Sequence, residues 1–202
     1  MTLEIRPLTK ELAQDFFDFH ENIAFADHEE WSHCYCVAFH MDGAGHRAIT
    51  SAKEAGGLDA MRREIKARAE KLIEEGTLRG YMAYEGGKMV GWCNANDKAA
   101  YKGFSFDEGM DAFVRSSGAE RVKEVVCFCV APSHRGKGVA AALLNRAVED
   151  AKAEGFLAVE GHPQLLDRRD PFDMFGPFRL YEKAGFSEIA RKGQTALVRK
   201  AL

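Results

Sequence analysis

The sequence predicts a mixed α/β or α+β fold, in which helices flank one central sheet. Strand-like runs of apolar and aromatic residues are interspersed with stretches whose apolar residues recur at helical spacing. Residues 125–130 form a continuous apolar run, which is typical of a strand buried on both faces. The runs at 81–84 and 89–92 flank a turn with two glycines, which is typical of a β-hairpin.

The N-terminal half contains two helical patterns separated by an irregular stretch. The predicted elements are, in order, a strand at 3–6 stopped by Pro7, a helix capped by Thr9, an irregular stretch at 27–57, a helix at 58–73 ended by Gly76, and the hairpin. The first helix would carry Leu12, Phe16 and Phe19 on its buried side.

The C-terminal half is arranged around the buried strand at 125–130. A loop-like region at 99–118 precedes that strand. The elements predicted after it are a Gly-rich turn, a helix at 139–151 ended by Gly155, a strand at 156–159, a short helix at 178–183 ended by Gly185, and strands at 188–191 and 195–199. No internal repeat interrupts this order, so we expect one domain spanning residues 1–202.

Composition is that of an ordinary globular protein, with 46% hydrophobic and 29% charged residues. A net charge of −3 does not favour a nucleic-acid partner held through its phosphates. No apolar run reaches the roughly 18 residues that a membrane span requires, and the first residues do not have the pattern of a signal peptide. We therefore expect a cytoplasmic protein with neither a membrane nor a nucleic-acid partner.

The five cysteines are an odd number and include two Cys-x-Cys pairs, which does not predict a disulfide framework. They are Cys34, Cys36, Cys93, Cys127 and Cys129. Histidines near the first pair raise the question of zinc, but Cys-x-Cys is not the usual ligand spacing and no matching pair follows. We expect no metal. Cys127 and Cys129, on the buried strand, are expected to act as small hydrophobic residues and not as nucleophiles.

The segment 125–144 reads as a strand, a turn and the start of a helix. Glycines at 136 and 138 leave the backbone of the turn accessible, and the unpaired amides of a helix N-terminus bind anions. Arg135 and Lys137 add positive charge there. A nucleotide P-loop does not fit the spacing, and Ala141 stands where a dinucleotide fingerprint has its third glycine. A turn that needs glycine only for its geometry is the structural alternative.

Residues 135–140, Arg-Gly-Lys-Gly-Val-Ala, resemble the [QR]-x-x-G-x-[GA] signature of the GNAT acetyltransferase superfamily. Residues 180–186, Leu-Tyr-Glu-Lys-Ala-Gly-Phe, are similar to its second signature, and together the two cover about residues 124–186. The resemblance implies a mostly antiparallel central sheet that is splayed at the cofactor site. It also implies transfer of an acetyl group from acetyl-CoA to an amine.

Particular residues acquire roles from this resemblance. The pyrophosphate of coenzyme A would be held by backbone amides of Arg135, Gly136, Lys137, Gly138, Val139 and Ala140. The pantetheine arm would pair with the backbone of Cys129 and Val130, as an added strand does. Tyr181 matches the tyrosine that often protonates the departing thiolate, although a tyrosine packed in the core is the alternative.

The general base is less defined by the resemblance. Glu124 stands six residues before Val130, where some histone-type members have a catalytic glutamate. A period of two would place Glu124, Val126 and Phe128 on one face of the strand, and burial would raise the carboxyl pKa. Glu160 and His162 are rivals at the end of the next strand, a solvated surface charge is the structural alternative for Glu124, and water relays serve many members.

Two regions bear on the substrates. Met174 stands where members of the superfamily often have an asparagine that touches the coenzyme, in a segment rich in Pro and Phe at 171–177. The N-terminal region offers aromatic and acidic side chains that would suit a cationic or aromatic amine or, alternatively, belong to the core and the surface. They are Phe16, Phe19, Trp31, Tyr35, Phe39, Asp27, Glu29 and Glu30.

The sequence thus predicts an N-acetyltransferase that acts by direct attack in a ternary complex. The acceptor, a small-molecule or peptide amine, is left open, and a homodimer is expected by analogy only. A non-catalytic acyl-CoA-binding module and a transferase of another acyl group are the alternatives.

Overall fold

A seven-stranded sheet forms the centre of the computed structural model, which describes residues 2–104, 108–118, 121–165 and 173–202. The strands are β1 (Glu4–Pro7), β2 (Gly80–Glu85), β3 (Lys88–Asp97), β4 (Val122–Val130), β5 (Ala158–Gly161), β6 (Ser187–Lys192) and β7 (Thr195–Ala201). Their order across the sheet is β1-β2-β3-β4-β5-β7-β6, and only β4 and β5 run parallel. The predicted mixed, mostly antiparallel sheet is confirmed.

Helices cover both faces of the sheet. They are α1 (Ala13–Asn22), α2 (Gly43–Glu74), α3 (Glu108–Arg115), α4 (Val139–Ala153) and α5 (Phe178–Lys183). The helices α4 and α5 share one hydrophobic core with one face of the sheet, and α1 and α2 share a second core with the other face. Among the described residues, none of the helices combines the length and apolar character needed to cross a bilayer.

Two stretches predicted as irregular contain helices. Helix α2 begins at Gly43, where the Asp42 side chain accepts a hydrogen bond from the Gly45 amide at 2.8 Å. Its first part buries only Gly45, so no apolar stripe marked it, and a break at Gly56 and Gly57 separates it from the part predicted from residue 58. Helix α3 lies in the region predicted as a loop and, among its described side chains, buries only Val114. The exposed first part of α2 therefore lacks the periodicity that sequence reasoning uses. Helix α3 has apolar residues at helical spacing, Met110, Phe113 and Val114, but its eight residues are too few for a clear pattern.

Strand β4 contains a β-bulge that changes which side chains share a face. Val125 lies opposite Ala95 and Cys127 lies opposite Asn94, so Val126 is an extra residue. The prediction that Glu124, Val126 and Phe128 share a face is therefore wrong, because a bulge shifts the alternation by one residue. Phe128 packs in the core with α4, whereas Val126 packs in the core with α1 and α2.

His20 lies at the centre of the core that α1 forms with the sheet. Its side chain is fully buried, and Nδ1 lies 2.9 Å from the Phe16 carbonyl oxygen. The ring packs against Phe16 at 4.3 Å between centroids and lies 6.3 Å from the ring of Trp92. Burial lowers the pKa of His20 from 6.5 to about 4, because the charged imidazolium is poorly solvated there.

We predict that acid destabilises the fold partly through His20. The unfolded chain binds a proton near pH 6.5 and the folded chain near pH 4, so stability is complete above pH 6.5 and falls between these values. The expected slope is about 1.4 kcal/mol per pH unit. Urea unfolding at pH 7 and pH 5 should show a smaller loss of stability in His20→Gln than in the wild type. Equal losses in both proteins would contradict the assignment.

Candidate active site

The sheet opens between β4 and β5. The two strands pair over Val122–Val125 and Ala158–Gly161, but β4 continues to Val130 without β5. Beyond this pairing, the Phe128 amide donates a hydrogen bond of 2.6 Å to the Met174 carbonyl oxygen, in the turn before α5. The opening therefore leaves the end of β4 available on one edge.

Backbone direction decides which residues of β4 face the opening. The Phe128 amide points towards it, whereas the Ala131 amide donates to the Val90 carbonyl oxygen, on the β3 side, at 3.0 Å. Because amides alternate along a strand, Val130 faces the opening, and the backbone of Cys129 pairs with β3 opposite Trp92. Of the two residues predicted to pair with a pantetheine arm, only Val130 presents its backbone in that direction. Cys129 presents its side chain to a neighbouring cavity instead.

The turn from β4 to α4 has a backbone suited to an anion. Gly136 and Gly138 adopt left-handed φ angles of +74° and +88°, and an added Cβ at either position would meet nothing within 4 Å. The Ala142 amide donates to the Gly138 carbonyl oxygen at 3.0 Å and closes the first turn of α4. The amides of Val139 and Ala140 precede it, at the helix end where amides have no partner within the helix. The turn is thus exposed and rich in donors.

The other two residues of this turn differ from the prediction. The amides of Arg135 and Lys137 make long bonds of 3.4 Å to the carbonyl oxygens of Pro132 and His134, so they point into the turn. The Arg135 guanidinium forms an ion pair with Asp27 and donates to the Val130 carbonyl oxygen at 3.2 Å. The hydrogen bond that the Arg135 guanidinium donates to the Asp27 carboxylate lowers the pKa of Asp27. Lys137 is exposed and supplies the cationic charge that was predicted for both side chains.

Tyr181 lies at the opening on the α4 and α5 face. It is fully buried, and its hydroxyl donates to the Phe175 carbonyl oxygen at 2.9 Å. Its ring contacts Phe128 and Phe186, and it approaches Gly161 so closely that a Cβ there would lie 2.5 Å from the ring. Burial raises the pKa of Tyr181 well above its usual value. The hydroxyl therefore keeps its proton at any working pH.

Glu124 and His162 form a buried pair at the same opening. Glu124 is fully buried, and its Oε1 lies 2.9 Å from His162 Nδ1. Lys98 Nζ is 3.4 Å from the other carboxylate oxygen of Glu124. The Nε2 atom of His162 is buried and has no hydrogen-bond partner among the described residues. The alternative prediction, that Glu124 is a solvated charge on the surface, is thus wrong.

Glu160, the other candidate for the general base, is held by ion pairs. Its carboxylate accepts hydrogen bonds from Lys98 at 2.5 Å and from Arg199 Nε at 2.6 Å. Lys98 also donates to the Val114 carbonyl oxygen at 2.6 Å and to Ser117 Oγ at 2.9 Å. Both oxygens of Glu160 are occupied, so this residue holds Lys98 in place next to Glu124. Lys98 was not singled out in the sequence, because only the tertiary structure brings it to the two carboxylates.

A cavity of about 380 Å³ lies against the α1 and α2 face of β4, next to this opening. Six aromatic residues line it: Phe25, Trp31, Phe39, Phe104, Phe128 and Phe175. The rings of Phe104 and Phe175 also contact His162, with centroid distances of 5.9 and 4.4 Å. His162 thus lies directly behind the cavity wall. Phe16, Phe19 and Tyr35, which were also proposed as lining, are buried in the core instead.

Four thiols also line the cavity. They belong to Cys34, Cys36, Cys127 and Cys129. Burial raises the pKa of Cys129, which leaves its thiol protonated and poorly nucleophilic. In the ranges that the structure describes, no group of three or more His, Cys, Asp or Glu side chains could hold a metal ion.

The loop that carries the first two thiols has an unusual backbone. His33, Tyr35 and Cys36 all have left-handed φ angles, of +72°, +45° and +53°. Such angles are costly for residues other than glycine and persist where surrounding contacts enforce them. Here the Tyr35 hydroxyl donates to Glu21 at 2.7 Å, and the Trp92 indole lies 3.3 Å from Cys36 Sγ. These contacts hold the loop against the cavity.

Met174, which stands at the position of the family asparagine, belongs to the turn that fills the opening. It is 42% exposed, and its carbonyl oxygen, not its side chain, contacts β4. Residues 171 and 172 of the Pro- and Phe-rich segment lie outside the described residues. The sequence predicted altered contacts to the coenzyme at this position. The structure has the Met174 carbonyl oxygen there, as a backbone hydrogen-bond acceptor.

Comparison with known proteins places these features in a family. The sequence profile of the acetyltransferase (GNAT) family matches residues 46–186, which is more than half of the chain. No curated protein matches the chain significantly in sequence.

Solved structures share the fold at low sequence identity. The PaiA N-acetyltransferase from Thermoplasma acidophilum, in complex with coenzyme A, has a TM-score of 0.53 at 14% identity, with 100% of each chain covered. An acetyltransferase of the GNAT family from Streptococcus pneumoniae has a TM-score of 0.54 at 16% identity, covering 100% of this chain and 99% of its own. The GNAT domain of S. lividans PAT has a TM-score of 0.57 at 13% identity, covering 100% and 92%.

Proposed function

The chain belongs to the acetyltransferase (GNAT) family, and from this membership we propose that it transfers an acetyl group from acetyl-CoA to an amine by direct attack in a ternary complex. One observation carries the proposal. The turn from β4 to α4 combines two left-handed glycines, open space around them and the amides of a helix N-terminus. These properties fit a pyrophosphate, because unpaired amides and the helix dipole favour an anion.

The end of β4 fits the remainder of the cofactor. Val130 presents its backbone to the opening of the sheet, so an extended arm can pair there as an added strand. Arg135 and Cys129 then have supporting roles. Arg135 ties the turn to Asp27, and Cys129 forms part of the cavity wall.

Acetyl-CoA supplies an activated thioester, and this chain supplies the proton transfers around it. We assign the proton donor to Tyr181, whose hydroxyl lies in the opening next to Phe175. Its raised pKa keeps the hydroxyl protonated until the thiolate forms. A thiolate is a weaker base than this phenolate, so the transfer depends on the position of the hydroxyl next to the departing sulfur. The bond to the Phe175 carbonyl oxygen fixes the position of the hydroxyl until then.

We assign proton acceptance to His162, with Glu124 as its orienting partner. An ionised carboxylate can only accept hydrogen bonds, so His162 Nδ1 must carry the hydrogen that points at Glu124. The lone pair then lies on Nε2, as in other carboxylate–histidine pairs that act as bases. The predicted glutamate base thus acts through a histidine. The donor and acceptor reach the opening from opposite faces of the sheet.

Two alternatives are less well supported. A binding module without catalysis does not require a histidine beside the opening whose buried nitrogen has no hydrogen-bond partner in the described part of the chain. An acyl-cysteine route would need a thiolate, whereas burial raises the pKa of Cys129. The cytoplasmic location and the homodimer stay predictions from the sequence.

Substitution of Gly138 should weaken acetyl-CoA binding. An alanine at φ +88° strains the turn by about 1–2 kcal/mol and places a methyl group at the anion site. We expect about a tenfold loss of affinity in isothermal titration calorimetry. Gly193→Ala is the matched control, because Gly193 also has a positive φ and open space but lies in the β6–β7 turn. Equal affinities for both variants would count against the turn as the anion site.

Tyr181→Phe should lower turnover about 100-fold, with acetyl-CoA affinity changed less than about twofold. The reason is that the substitution removes the proton donor and keeps the ring that fills the opening. Steady-state rates and calorimetry measure the two effects. Tyr84→Phe, which removes another buried hydroxyl bonded to Asp15 at 2.8 Å, should retain its rate. A Tyr181→Phe variant as fast as wild type would exclude the donor role.

His162→Gln and Glu124→Gln should both slow turnover, by about 100-fold for the histidine. The informative readout is kcat for acetyl transfer, compared with the affinity for acetyl-CoA in calorimetry. His20→Gln, which removes a buried histidine elsewhere on the same face, should keep its rate. A His162→Gln variant as fast as the wild type would assign the base to another group.

A further inference from the structure

The cavity beside β4 indicates which class of amine this chain acetylates. Its volume of about 380 Å³ lies within the roughly 300–1,000 Å³ of small-molecule sites. It touches Val130 at one end and Phe175, which covers His162, at the other. A molecule bound there lies between the predicted path of the cofactor arm and the proposed base.

We propose that the acceptor is a small aromatic amine that is uncharged at neutral pH, an arylamine, bound in this cavity. The inference rests on the acetyl transfer proposed above and names the substrate of that same site. Two independent properties of the wall carry it: its aromatic surface and its charge.

The aromatic surface favours a planar ring. Six aromatic residues contribute to its wall, and the rings of Phe39 and Phe175 contact each other with a centroid distance of 6.5 Å. Aromatic pairs gain stabilisation in stacked and edge-to-face arrangements beyond the burial of their area. Most of the remaining wall is formed by the four cysteines and by Ala38, Gly103, Val130 and Met174, which offer few side-chain groups that could hold the hydroxyls of a sugar.

The charge of the wall disfavours an ammonium ion. Among the described residues, the ionisable side chains that line the cavity, apart from its thiols, are Arg135 and His46, and neither carries the negative charge that attracts a cation. Nearby carboxylates are engaged elsewhere: Asp27 pairs with Arg135, and Glu21 accepts from Lys66 at 2.8 Å. A polyamine or an aminoglycoside would have to leave its charges without partners in an apolar site, which is costly.

An uncharged amine also suits the proton path. Its nitrogen has a free lone pair at neutral pH, so no base is needed before attack. As the N–C bond forms and the C–S bond breaks, the nitrogen proton passes to His162 Nε2, and the departing thiolate takes the Tyr181 proton. The base then acts only after attack has begun.

Trp31 provides a test that leaves the fold intact. It lines the cavity but is 51% exposed, so its removal costs little core packing. Leu157 is a matched control, because it is an apolar side chain that is 61% exposed, directly precedes β5 and does not line the cavity. Trp31→Glu places a carboxylate at the cavity. This negative charge would attract a cationic amine.

The experiment measures thiol release from acetyl-CoA with aniline-type amines, a polyamine, an aminoglycoside and an amino-acid amide, alongside calorimetry of acetyl-CoA. We expect kcat/KM to be highest for the aniline-type amines. Trp31→Ala should lower that value about tenfold, and Leu157→Ala should leave it unchanged. Trp31→Glu should lose the arylamine and gain relative activity towards the polyamine.

The outcomes separate this inference from the proposed function. Turnover that is highest with the polyamine or the aminoglycoside overturns the arylamine and leaves the acetyltransferase standing. Preference for a long-chain acyl-CoA over acetyl-CoA shows that the cavity holds the acyl chain, and also overturns it. Binding of acetyl-CoA without acetylation of any amine overturns it as well. Failure to bind acetyl-CoA removes the proposed function, and this inference with it.

Discussion

The end of pairing between β4 and β5 is the constraint on which the rest of the site depends. Pairing stops at Val125 and Gly161, although β4 runs on to Val130. Because no described strand pairs with that edge of β4 beyond Val125, its backbone can serve a ligand, and both faces of the sheet become accessible at one place. Tyr181 reaches that place from the α4 and α5 core, and His162 reaches it from the other side. A continuous sheet would separate these two side chains.

Buried charge stabilises the closed end of the same opening. Glu124 and Glu160 lie side by side on paired strands, and two carboxylates in a core would repel each other without compensation. Lys98 lies between them, at 3.4 and 2.5 Å, and Arg199 supplies a second cation to Glu160. Charged groups of this kind are costly to bury. Removal of one partner destabilises the fold strongly, because it leaves a buried charge unpaired. The network therefore fixes Glu124 and, through it, the orientation of the His162 ring.

The sequence predicted the order of the strands along the chain and the helices that pack on the core, because their apolar periodicity is strong. It also predicted the Gly-rich turn between β4 and α4, since glycines at alternate positions after a buried strand are a local signal. It failed where tertiary structure decides. The bulge at Val126 leaves no mark in composition, and it moved Phe128 to the opposite face from Val126. The pairing of Arg135 with Asp27 joins residues more than a hundred positions apart, so only the folded chain reveals it.

The turn that contains Met174 and Phe175 has a thermodynamic consequence for any ligand of the sheet. Its two carbonyl oxygens accept from the Phe128 amide and from the Tyr181 hydroxyl, which are groups that a ligand in the opening would also use. A ligand in the opening and the closed turn therefore compete for the same two hydrogen-bond donors. A competing internal contact reduces the apparent affinity by the fraction of molecules in which it is released. The residence time of a ligand in the opening would thus depend on how readily the turn re-forms its hydrogen bonds with Phe128 and Tyr181.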